Sequence, residues 1–213
     1  MSSGLRVVGL LMMGWGALGG SAWGREVPVH DNAGLRQALR EAQPGDHIRL
    51  APGEYAGGIY VQDLHGRAGQ PIVIAGADPA QPPCFVGGTE ALHLSDVSYV
   101  ELRDLATRGQ SGNGINVDDA GTYDTPAHHV VCERLHIQEV GPQGNHDGLK
   151  LSGLDDFVVR DCRFEVWGDG GSGVDMVGCH RGRIEGCGFV GRENGLGNAV
   201  QCKGGTSDVL IRD

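Results

Sequence analysis

NGINVD at residues 113–118, DGLKLS at 147–152, SGVDMV at 172–177 and NAVQCK at 198–203 are one phrase written four times, and EALHLS at 90–95 is an earlier copy. In each, a glycine or polar corner leads into a short strand whose apolar and polar residues alternate, so one set of side chains faces a core and the other faces solvent. The inward pairs are Leu92/Leu94, Ile115/Val117, Leu149/Leu151, Val174/Met176 and Val200/Cys202, and their first members step by 23, 34, 25 and 26 residues. A second short strand follows each, supplying Leu102, Cys132, Val159, Ile184 and Ile211, with Leu105, Leu135, Cys162 and Cys187 behind it.

A repeat of roughly 25 residues with two or three strands is too short for a propeller blade and lacks the helix of a leucine-rich repeat. It fits an all-β, single-stranded right-handed parallel β-helix. One coil cannot bury its apolar edge alone, but coils stacked about 4.8 Å apart satisfy each other's backbone groups and join the inward residues into ladders. Glycine and asparagine at the corners supply the positive φ angles that sharp turns need.

The first coil needs a lid, because its strand edges would otherwise stay unpaired. Residues 32–42 read as an N-terminal capping α-helix: Leu35, Ala38, Leu39 and Ala42 fall at helical spacing, Asp31 or Asn32 can cap it, and Pro44-Gly45 ends it. Short strands are expected at His47–Leu50, Gly58–Val61 and Pro71–Ala75, with coils from about residue 47 onward. The sequence stops at VLIRD, inside an expected second strand, so the solenoid reads as truncated at its C-terminus.

Residues 1–24 read as a signal peptide: MSSGLR is a short positive region, VVGLLMMGWGALGG an apolar run, and Ala22-Trp23-Gly24 a cleavage site. The β-helix domain then occupies residues 25–213, and a secreted or periplasmic location follows, with no stable membrane association after cleavage. The 213 residues include 38 glycines and only 5% aromatics, a composition of many short elements and turns. A net charge of −10 argues against nucleic acid as a partner. The six cysteines lack the close spacing of a stapled scaffold; Cys162 and Cys187 can stack as small apolar residues or bridge neighbouring coils.

The outward faces of the first strands align in columns. The central column is His93, Asn116, Lys150, Asp175 and Gln201; Glu90, Asn113, Asp147, Ser172 and Asn198 precede it; Ser95, Asp118, Ser152, Val177 and Lys203 follow it. Both lysines of the chain thus stand on one flank, among amides and carboxylates shaped to receive an extended, hydroxyl-rich polymer. Lys203 is the sharpest candidate. Two glycines beside it allow close approach, and stacking on Val177 would desolvate it, which lowers a lysine pKa towards that of a working base. The same residues have plainer explanations as solvated surface, turn formers or ion pairs. Extra length falls in DDAGTYDTPAHH after Asn116, where Asp118, Asp119, Tyr123, Asp124, His128 and His129 would overhang the strip. A metal held by His128 and His129 together is not expected, because neighbours on a strand face opposite ways. Trp167 could pack or stack on a sugar.

LRQALREAQPGDHIRLAPGEY at 35–55 and GQPIVIAG at 69–76 resemble the capping helix and first coils of exported right-handed parallel β-helix proteins in the polysaccharide lyase family of chondroitinase B and alginate lyases. The likeness continues more loosely to Asp213. It implies β-elimination on a uronate-containing, hence acidic, polysaccharide, with a lysine as base, an arginine aiding the leaving sugar, and calcium on the carboxylate. By its place in NAVQCK, Lys203 matches that lysine, with Lys150 beside it in the catalytic set. Asn116, Asp147, Asp175, Asn198 and Gln201 are the implied substrate contacts, and Asp147, Asp175 and Asn198 the implied calcium ligands. Asn198 stands where the family usually has an acidic ligand, and the arginine would fall on the next coil, beyond Asp213. Two alternatives stay open: a non-catalytic carbohydrate-binding or envelope scaffold, and a glycoside hydrolase using Asp147 and Asp175 as paired carboxyls.

Overall fold

The computed structural model describes residue 1, residues 24–122 and residues 124–213, so the leader reading, apart from its two end residues, and the expected position of Tyr123 lie outside the described residues. The chain winds into a parallel β-helix of about six turns, nearly all β, with one helix. Three parallel sheets run the length of the stack, one of nine strands and two of six.

The repeated phrase forms the first sheet: Ile59–Gln62, Leu92–Ser95, Ile115–Asp118, Leu149–Ser152, Ser172–Val177 and Asn198–Lys203. Its register sets Ile59 on Leu92, Leu92 on Ile115, Ile115 on Leu149, Leu149 on Val174 and Val174 on Val200, so the inward pairs stack as the alternation requires. The second sheet stacks Leu102, Cys132, Val159, Ile184 and Ile211 in the same way. The third sheet was only faintly visible in the sequence. Its strands are three residues long, and each sends one residue inward: Tyr55, Phe85, Thr107, Ile137, Phe164 and Phe189 stand in register. Phe164 and Phe189 stack at 5.1 Å with rings 9° apart, which extends the hydrophobic file with oriented aromatic contact.

The bend between the second and third sheets recurs at Asp104, Arg134, Asp161 and Gly186, with φ of 55°, 50°, 53° and 60°. Three of these four corners are not the glycine or asparagine expected there. The left-handed conformation costs a residue with a Cβ about 1–2 kcal/mol. Part of that cost is offset locally, because the Arg134 guanidinium grips both oxygens of Asp104 one coil away, at 2.6 and 2.9 Å.

The capping helix spans Asn32–Glu41. Asp31 accepts a 2.7 Å bond from the Gly34 N–H, and Leu35, Ala38 and Leu39 are buried over the first coil. All six cysteines are free thiols, and Cys132, Cys162 and Cys187 stack in the wall as small apolar residues. Burial pushes the Cys132 thiol up to about 12, which keeps it protonated and inert. Trp167 packs, edge-on to Phe189, rather than facing solvent. Among the described residues, no helix is long and apolar enough to cross a membrane.

Candidate functional site

Alternation in the first sheet turns every second residue outward, and the parallel register converts those residues into straight files. Tyr60, His93, Asn116, Lys150, Asp175 and Gln201 pair in succession along the central file. Beside it Ser172 pairs with Asn198, and the Ser172 N–H donates to Asp147 Oδ1 at 2.8 Å. The next file sets Ser95 on Asp118, Asp118 on Ser152, Ser152 on Val177 and Val177 on Lys203.

These files bring both lysines to one carboxylate. The Lys150 ammonium bonds Asp175 and stands 3.5 Å from Asp147 Oδ2, and Lys203 Nζ reaches the same Asp175 Oδ2 at 3.0 Å. The Asp147 and Asp175 side chains are 1% and 0% exposed, whereas Lys150 and Lys203 keep 20% and 37% of their side-chain surface in solvent. Asp175 Oδ1 is buried without a hydrogen-bond partner. Amides brace the arrangement: Asn113 accepts from the Asp147 N–H at 2.7 Å and donates to Asn116 Oδ1 at 2.9 Å, and the Ser172 hydroxyl donates to Gln201 Oε1 at 3.3 Å. Asn198 is exposed at the outer strand of the sheet.

The electrostatics differ from the sequence expectation for Lys203. Its pKa is raised, not lowered, because the hydrogen bond it donates to Asp175 outweighs the desolvation that opposes it, with Asp175 and Asp147 adding their charge. Val177 does lie beneath it, but the carboxylate decides the sign. Asp147 is pushed up, first by burial and then by the charge of Asp175, with the lysines only partly restoring it.

A groove of about 940 Å³ runs beside this cluster, along the third file. Asp119, Gly121 and Pro126 from the long insertion wall it, together with His93, Asp118 and His180. Burial favours the neutral form of Asp118, but bonds from the Ser95 hydroxyl at 2.6 Å, His93 at 2.5 Å and the Ala120 N–H at 2.9 Å together hold it below the usual carboxylate range. The pairing of His93 with Asp118 was not singled out in the sequence. Its signal was available, since the two residues occupy neighbouring columns one coil apart.

His128 and His129 do not overhang the strip: they lie in the second sheet, in strand Ala127–Glu133, against Tyr99. Nor do they face opposite ways. His129 takes a φ of 54°, which folds its ring back until the two Nδ1 atoms are 2.9 Å apart. Among the described residues, the three metal-capable side chains that cluster are Asp63, His65 and Asp96, at the corners of the first two coils, and no candidate ligand from the sequence is among them.

No family model matches the chain, and no curated protein matches it. Among solved structures, an alginate lyase from a Paenibacillus species superposes with a TM-score of 0.74 at 23% identity, over 88% of this chain and 64% of that one. The coil stack is similar to that of an alginate lyase. This chain spans under two thirds of that protein's length. A candidate glycosyl hydrolase from Parabacteroides merdae superposes with a TM-score of 0.58 at 10% identity, over 89% of this chain and 96% of that one. At such identities the likeness concerns the fold, a parallel β-helix resembling those of polysaccharide lyases.

Proposed function

We propose that the chain is the catalytic coil stack of an exported polysaccharide lyase that cleaves a uronate-containing glycan by β-elimination. The observation that supports this reading is the convergence of the only two lysines in the sequence on one buried carboxylate, on an open face bordered by a groove.

The proton beside a uronate carboxylate becomes acidic only when that carboxylate is neutralised. Lys150, bonded to Asp175 and 3.5 Å from Asp147, supplies the neutralising charge. Lys203, in its free amine form, takes the proton; the C–H electron pair closes a carbon–carbon double bond, and the glycosidic oxygen departs with a proton returned from the ammonium so formed. Asn116 and Gln201, in the same file, donate to sugar hydroxyls. Because Asp175 raises the Lys203 pKa, the working amine becomes abundant only at alkaline pH, so the rate rises with pH there.

The family resemblance implies calcium, and the donor set offers it a poor fit. A calcium ion takes about six to eight oxygens. Here Asp175 already receives two ammoniums, Asp147 is committed to the Ser172 N–H and Lys150, and Asn198 stands exposed at the outer strand. On this reading Lys150 takes the place of the metal, and no step is routed through an ion.

The test is ultraviolet absorbance of the unsaturated uronate on alginate, chondroitin and pectate, with Lys203→Ala in parallel and chelator added to both. Absorbance that persists in chelator and falls by about 10²–10⁴ in the variant is expected from loss of a general base. Undiminished absorbance in the variant removes Lys203 as the base. Reducing sugar without absorbance favours hydrolysis, and binding without either product favours a scaffold.

A further inference from the structure

A second groove, of about 630 Å³, lies between the capping helix and the first coil. Its floor is apolar, formed by Leu39, Ile59 and Leu64, and Arg36, Arg40 and Arg67 line its walls. Among the described residues these are the arginines with no carboxylate partner; every other described arginine makes an ion pair. The residues outside the description, 2–23 and 123, contain no aspartate or glutamate that could supply one. Asp63 is the lone carboxylate of the lining, so the groove carries excess positive charge on a chain whose net charge is −10.

Guanidinium groups normally find carboxylates where carboxylates are plentiful, and 27 acidic residues are present here. Three that converge on one concavity without a carboxylate, Arg36 bonding only the Gly58 carbonyl at 3.3 Å, fit an anionic partner from outside the chain. Tyr60 and Gln62 line this groove and also the one beside the lysines. Tyr60 is 56% exposed, heads the central file, and lies three strand steps, about 14 Å, from Lys150. Its exposed ring offers an amphipathic platform for a sugar between the two cationic places.

We infer that the arginine groove is a distal subsite that takes the carboxylate of a uronate several sugars away from the bond over Lys203, with Tyr60 as the stacking platform between them. The inference rests on the acidic-polysaccharide reading and adds a length requirement to it. A short oligomer reaches the lysines alone, whereas a long one reaches both places.

The test compares Arg36→Gln/Arg40→Gln with the natural chain, using calorimetric affinity for a uronate trisaccharide and a uronate octasaccharide. Both arginines are exposed on the helix, and the change gives up a long, exposed Arg36 bond to the Gly58 carbonyl, so the fold should be kept, which circular dichroism checks. The expected result is an octasaccharide affinity about tenfold weaker, an unchanged trisaccharide affinity, and recovery in Arg36→Lys/Arg40→Lys. Equal affinity of variant and natural chain for the octasaccharide overturns the inference, as does an equal loss on both lengths. Arginine-dependent octasaccharide binding without any unsaturated product leaves the subsite standing and removes the lyase reading. Unsaturated product with no arginine dependence does the reverse, and absence of octasaccharide binding overturns the subsite whatever the products.

Discussion

Asp175 is the residue on which the candidate site turns. A carboxylate without solvent is stable only when paired, and here both lysines serve one of its oxygens. Asp175→Asn removes the charge and keeps the shape. Because the ammoniums are partly exposed, the cost falls below that of a wholly buried pair, at about 2 kcal/mol by urea denaturation. The same change lowers the Lys203 pKa, since its largest raising influence is gone, and if Lys203 is the proposed base the alkaline limb of the pH–rate profile should move to lower pH. Asp147→Asn should be milder: its pKa is already raised in the folded chain, so the protonated form suits its place. The sign follows from linkage. Asp147 binds its proton more tightly when folded, so it favours the native state in acid, and that contribution fades as pH climbs from the ordinary aspartate value through the raised one. The lysine convergence was legible from alternation and repeat spacing. The direction of the Lys203 shift was not, because it depends on Lys203 Nζ reaching Asp175 Oδ2 at 3.0 Å, a distance no spacing encodes.

At the scale of elements, legibility tracked strand length. Four- to six-residue strands such as Leu149–Ser152 and Ser172–Val177 display two inward residues and so reveal their period. Three-residue strands such as Arg163–Glu165 show one, Phe164, and no period at all. The hidden sheet nevertheless carries weight: Phe164 is fully buried and stacked on Phe189. Phe164→Ala should cost about 3–5 kcal/mol in chemical denaturation. Asp31→Ala, which removes only the helix cap, should cost about 1 kcal/mol, and its effect should be confined to hydrogen exchange in the capping helix. The cap itself was readable to within a residue, since its apolar spacing and stop signal agree.

Across the whole molecule, the same three bends recur in each coil, and the long insertion after Asp118 is where the rhythm changes. Its described residues form no strand between Asp118 and Ala127. Shortening it by removing Gly121 and Thr122 should leave the thermal midpoint within a few degrees while widening the groove it walls. Removal of one residue from Leu149–Ser152 should instead prevent folding, visible as loss of protease resistance, because a slip by one residue would turn Lys150 into the core and Leu149 and Leu151 to water.

Stacking in register therefore gives this polypeptide something like a reading frame. Excision or duplication of an entire turn keeps every outward and inward position in phase, whereas odd-numbered losses inside a strand scramble all that lies above. Gain or loss of whole turns would move the arginine-lined cleft and the lysine pair nearer or farther apart in fixed increments of about 4.8 Å.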